Sequence, residues 1–136
     1  MAYRKDWGQP QAGHQGFFRT VKTIGKRVTI TLADNVSGGV VGVFTVPAGF
    51  VVTGILMIAT AMGTGMVINV GDSVVNRYVA ASAVGAAGGT VNTLPVTGLL
   101  YKNLVETEIQ IGIGTGGSPA AAGTIDLYLT GFIDGP

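Results

Sequence analysis

Three groups of residues have types and spacings that could do chemistry. Gly112, Gly114 and Gly117 in "GIGTGG" match the G-x-G-x-x-G spacing of a phosphate-cradling loop. That chemistry needs a helix directly after the loop, whose first N–H groups meet the phosphate. Pro119 and Gly123 interrupt any such helix, and no P-loop lysine is present, so a plain hairpin loop is expected. Gly71-Asp72-Ser73 offers a serine nucleophile. A serine triad needs a histidine base, and the single histidine, His14, lies far from it in sequence, in a segment of different composition. A β-turn is the expectation there. Glu106 and Glu108 would sit on one face of a strand, about 7 Å apart by strand geometry. Two carboxylates on an exposed face are ordinarily a solvated face rather than a glycosidase pair. With no cysteine, one histidine and seven scattered carboxylates, neither a metal site nor a cofactor is expected.

The residues that do cluster are those of a binding segment. Residues 1–27 hold Arg4, Lys5, Arg19, Lys22, Lys26 and Arg27 against Asp6 alone, a net charge of +5. Residues 28–136 hold Arg77 and Lys102 against six acids, a net of −4. Residues 1–26 also carry Tyr3, Trp7, Phe17 and Phe18 and show no strand alternation. Such a segment is expected to be an extended arm that orders when it lies on something. Aromatic residues beside arginines are frequent binding hot spots. The candidate partner-binding residues are therefore Arg4, Lys5, Trp7, Phe17, Phe18 and Arg19. Nucleic acid is a poor fit as partner, because the body has no basic platform to continue the arm.

What must position these residues is a single body of β-strands, residues 27–136. Charged residues are 11% of the chain, hydrophobic residues 47%, and there are 23 glycines. So little charge points to a protein whose surface is covered by partners. Residues 36–71 contain no charge at all, which raises the question of a membrane helix. Pro47-Ala48-Gly49 breaks that run, and the flanking residues are β-branched. Two strands, 40–46 and 50–62, are expected instead, with no membrane span. In the second strand both faces are largely apolar.

Further strands are expected at 27–33, 65–72, 74–80, 95–101, 105–114 and 124–134. Val28, Ile30 and Leu32 would point inward, as would Ile109, Ile111 and Ile113, and Ile125, Leu127 and Leu129. Residues 34–39 and 115–123 read as turns and loops, 83–93 as a small-residue loop or an irregular edge, and no helical stripe occurs. About eight short strands between Gly/Pro turns indicate an all-β, antiparallel sandwich, jelly-roll-like, with the N-terminal arm attached.

The stretch "FTVPAGFVVTGILMIATAM…MVINVGDS…NRYVAASAVGAAGGTV" resembles small structural proteins of tailed bacteriophages over roughly residues 44–133. The resemblance implies a capsid decoration (cement) protein. It would be a non-enzymatic virion component on the outer capsid surface, bound to the major capsid protein and often trimeric. It brings no catalytic residues. Two other readings stand beside it. One is a tail or fibre component that binds a host surface through Tyr78 and Tyr101. The other is a small hydrolase using Ser73.

Overall fold

A computed structural model of the chain describes residues 21–134. Eight strands and one short helical turn make up the body. In chain order they are β1 (Lys22–Ile30), β2 (Val40–Val46), β3 (Phe50–Ala59), β4 (Val67–Gly71), β5 (Val79–Ser82), α1 (Val84–Ala87), β6 (Gly89–Val91), β7 (Thr107–Thr115) and β8 (Gly123–Ile133). The strands form two four-stranded sheets, ordered β1-β8-β3-β6 and β2-β7-β4-β5.

All the pairings are antiparallel, and their order has a simple origin. β1 pairs β8, β2 pairs β7, β3 pairs β6, and β4 pairs β5. The chain is thus one long hairpin, tipped between β4 and β5. Additional pairing of β3 with β8 and of β4 with β7 rolls that hairpin into two facing sheets. This is the topology of a jelly roll, and it agrees with the sandwich expected from the sequence.

The core lies between the sheets. It contains Val28 and Ile30 of β1, Met57 of β3, Ile68 and Val70 of β4, Ile109, Ile111 and Ile113 of β7, and Ile125, Leu127 and Leu129 of β8. Alternation places these side chains on one face of each strand. The turn that opens β3 is closed by Phe50 N donating to Pro47 O at 3.2 Å. Gly49, at its third position, has φ 87°, which a type II turn requires and which a side chain would strain.

Several expectations are corrected. β1 begins at Lys22, within the segment read as arm, and ends at Ile30, so Leu32 is exposed. β1 is an edge strand, and its exposed Lys22 and Lys26 discourage pairing with another sheet. In β3 the register slips between Val52 and Gly54, so Thr53 is an extra residue. Its inward set therefore switches parity, from Phe50 and Val52 to Ile55, Met57 and Ala59. Past the slip Leu56 and Ile58 face outward, so both faces of the strand are apolar as expected, and the slip changes which parity points inward.

Residues 74–78 are not strand. Asp72 Oδ1 accepts from Val74 N at 2.9 Å and Val74 O accepts from Arg77 N at 3.1 Å, which makes a turn. Residues 95–101 are turns as well, because Pro95 O accepts from Gly98 N and Leu99 N. The stretch 83–93 holds α1 and the short edge strand β6, which agrees with the irregular edge and not with the plain loop. Among the described residues, no helix is long and apolar enough to cross a membrane; the charge-free run is β2, β3 and β4.

Candidate interaction surfaces

The chemistry-bearing candidates are each held in local structure, although Asp72 and Gly112 line one small depression. "GIGTGG" is the end of β7 and the loop after it, and the next element is β8, not a helix. Ser73 is exposed in the turn after β4, beside an Asp72 carboxylate already committed to Arg77. Glu106 lies before β7 begins, while Glu108 is in the strand and accepts from Gln110 Nε2 at 2.9 Å. Among the described residues, no group of three or more His, Cys, Asp or Glu side chains is placed to hold a metal ion. Two surface depressions, of about 380 and 260 Å³, are lined by residues such as Val79, Ser82 and Leu94, and Val40, Asn69 and Val75. Neither lining holds a charged group that could transfer a proton.

A different feature stands out at one end of the sandwich. The connection from β6 to β7, residues 92–106, carries five large aliphatic side chains in solvent. Val96 is 92% exposed, Leu104 78% and Val105 67%, and Leu99 and Leu100 are more than half exposed. Contiguous exposed apolar residues of this kind mark interaction sites.

The backbone beneath them is pinned. Leu100 N donates to Val52 O at 2.7 Å, and Val52 N donates to Tyr101 O at 3.1 Å, so the loop runs beside β3. Leu100 has φ 61°, a left-handed conformation that is costly for a leucine. Asn103 is buried and holds the next turn. Its N and Nδ2 both donate to Phe50 O, at 2.9 and 3.1 Å, and its O accepts from Gly49 N.

The loop is also tied to the β4–β5 connection, through an arginine that a buried ion pair holds within that connection. Arg77 Nε donates to both oxygens of Asp72, at 3.0 and 2.9 Å. The Asp72 side chain is 3% exposed and that of Arg77 13%. The guanidinium carbon lies 3.6 Å from the centre of the Tyr101 ring, a cation–π contact. Thr97 Oγ1 donates to Arg77 O at 3.1 Å. Tyr78 packs beneath, fully buried, with its hydroxyl 3.5 Å from Asn103 Nδ2. Burial pushes the Tyr78 phenol up to about 12, a shift that the Asn103 contact partly opposes.

The outer faces of the sheets offer less. On the first, Leu56, Ile58 and Tyr128 are partly exposed around a bidentate Arg27–Asp126 pair, at 2.7 and 2.9 Å. The Tyr128 ring covers the facing Gly25, where a side chain would not fit. On the second, Gly42, Gly112 and Gly114 leave a low surface near Val40 and Val75.

Of the residues proposed from sequence, Arg4, Lys5, Trp7, Phe17, Phe18 and Arg19 all lie outside the described residues, as does His14. The host-binding candidates are corrected: Tyr78 is in the core and Tyr101 is half-buried under Arg77. The aliphatic loop was missed. Its signal was present as "LLYKNLVE", but "PVTGLLY" read as a short strand.

Two solved assemblies contain chains of this fold. One is the capsid asymmetric unit of cyanophage Pam1, matched with a TM-score of 0.70 and 22% identity over 85% of this chain and 86% of that one. The other is the capsid of Ralstonia phage GP4, matched with a TM-score of 0.69 and 22% identity over the same shares. No protein-family model matches the sequence, and no curated protein does.

Proposed function

We propose that this chain is a non-enzymatic structural component of a phage virion, a decoration or cement protein that binds and stabilises the assembled capsid shell. The observation that carries the reading is the likeness of its jelly roll, over 85% of its length, to chains in two phage capsids. The site chemistry agrees with it. A clamp needs no proton-transferring pocket; it needs a pinned apolar surface and a segment that reaches a neighbour. The partner in this reading is the major capsid protein on the outer face of the shell. The body acts as a symmetric homo-oligomer, a trimer by preference, and Arg4, Lys5, Trp7, Phe17, Phe18 and Arg19 make the contacts of the arm. A ligand that binds only the assembled shell stabilises it by mass action, and many copies add avidity.

The test uses shells of its virus prepared without this protein. The full chain is expected to sediment with the shells and to raise the temperature at which they come apart. A chain lacking residues 2–19 should stay folded and bind more weakly. Absence of sedimentation with intact shells, across a range of salt, would reject the proposal.

A further inference from the structure

Two features meet at the same end of the sandwich. One is the exposed aliphatic cluster of Leu99, Leu100, Leu104 and Val105. The other is the point where the chain enters β1. Lys22 pairs with Gly131, Gly131 with Val52, and Val52 exchanges backbone hydrogen bonds with Leu100 and Tyr101. Lys22 and Leu100 are thus three strand spacings apart, about 14 Å.

Phe17, Phe18 and Arg19 directly precede that entry point. An extended chain advances about 3.3 Å per residue, so Phe18 lies at most about 13 Å from Lys22. No glycine or proline stands between Phe17 and Lys22, and Thr20 and Val21 are β-branched. To reach the cluster of its own body, the segment would have to cross β8 and β3 from Lys22 nearly fully extended, with neither glycine nor proline to turn it. A second copy set against this end meets neither restriction.

Charge selects the same site. Glu106 follows Val105 and is exposed, with no ion pair to a described residue. Arg27, Arg77 and Lys102 each already have a carboxylate, and the other described bases, Lys22 and Lys26, are fixed on the edge strand β1. In sequence, an aromatic pair followed by a cation, Phe17-Phe18-Arg19, matches in kind an aliphatic pair followed by an anion, Leu104-Val105-Glu106.

We infer that Phe17, Phe18 and Arg19 of one copy dock on the Leu99, Leu100, Leu104 and Val105 cluster of a second copy, with Arg19 against Glu106. The inference rests on the reading of residues 1–20 as a partner-binding arm, and it commits this part of the arm to a sister chain. The opposite assignment, to the major capsid protein, is an outcome of the test.

The full chain, carrying a photo-crosslinking side chain in place of Phe18, is mixed with an equal amount of heavy-isotope-labelled chain and irradiated. Cross-links to residues 96–106 that join light to heavy copies are expected. Cross-links confined to one copy, cross-links to another surface, or none at high concentration overturn the inference. As an independent arm, Leu104→Asp should weaken self-association at least about tenfold, since burial of one leucine is worth that factor. At concentrations where both chains are monomeric its thermal midpoint should stay unchanged, because Leu104 is exposed in the single body. Unaltered self-association of this variant refutes the docking site. Shell sedimentation is read separately. Copies that cross-link this way but ignore shells keep the inference and reject the proposed function. Copies that bind shells and cross-link only to capsid protein do the reverse.

Discussion

Replacing Arg77 by methionine is the sharpest probe of how the aliphatic loop is held. Methionine keeps much of the stem that covers Tyr101 but removes the charge. The Asp72 carboxylate, 3% exposed, then keeps only the Val74 N–H at 2.9 Å among its donors here. Breaking a buried pair by removing one partner costs about 3–5 kcal/mol, against roughly 0–1 for exposed pairs. The retained backbone donor puts the expected loss at the lower end, about 3 kcal/mol. Given a total stability of order 5–15 kcal/mol, that is a large fraction. With a urea slope of about 2 kcal/mol/M, the unfolding midpoint should fall by about 1.5 M. Asp72→Asn combined with Arg77→Met should recover at least about 1 kcal/mol relative to the sum of the single changes, because neither partner is then stranded. Hydrogen exchange at the Leu100 and Asn103 amides should accelerate in Arg77→Met, since that connection is tied through Tyr101 and Thr97. Arg27→Met is the control, because the Arg27 side chain is 68% exposed. If Arg77→Met costs no more than Arg27→Met, or if the double variant shows no coupling, the pair does not fasten the loop and the reasoning fails.

Tyr78, held up at about 12 by burial, keeps its proton in the folded state after the unfolded phenol, near 10, has lost its own. Its contribution to stability is present below pH 10 and lost as pH rises from 10 to 12, and absorbance titration should show one late tyrosine that Tyr78→Phe removes. Asp126, lowered by hydrogen bonding to Arg27, and Asp34, lowered by the Thr31 N–H and hydroxyl, act at the other extreme. Their contributions are present above the unfolded carboxylate value near 3.9 and lost as pH falls through the folded values, so Asp126→Asn should flatten the fall in thermal midpoint below pH 4. Gly98→Ala would place a methyl against the Arg77 carbonyl oxygen and the Tyr78 ring, and should cost about 1–3 kcal/mol in chemical denaturation.

Strands bearing strict alternation were legible in the sequence. β7 shows Ile109, Ile111 and Ile113 against Glu108 and Gln110, and β8 shows Ile125, Leu127 and Leu129; both turned the expected side chains inward. β2 matched its expected bounds because Gly39 and Pro47 flank it. The failures have local causes. Thr53 bulges in β3, and a single inserted residue inverts every later inside–outside assignment, which no periodicity count resolves. "VVNRYVA" looks like a strand, yet the Asp72 carboxylate caps Val74 and pairs with Arg77 five residues on. "PVTGLLY" looks like one too, but it has no strand to pair with along its length, and Asn103 and Arg77 set its path instead. The aliphatic surface was illegible for the same reason: its exposure is decided by buried polar partners distant in sequence.

Charge placement connects the body to the arm. Of the eight bases, Arg77 and Lys102 are the two within residues 28–136, and both face a carboxylate. Asp34, Glu106 and Glu108 have no basic partner among the described residues, and the body keeps an acidic excess. Of the six bases that remain, Lys22, Lys26 and Arg27 lie in β1, and Arg4, Lys5 and Arg19 stand in the sequence that precedes it, which also holds Trp7, Phe17 and Phe18. If the arm docks on sister chains as inferred above, the acids and exposed aliphatics of the body and the aromatic and basic residues of the terminus are the two halves of that contact. The low overall charge then becomes intelligible. Each additional surface ion would add a desolvation cost at contacts between copies, whereas small and apolar residues pack there without it. Such contacts are driven by area and only steered by charge, so salt should weaken the encounter between copies more than the packed interface itself.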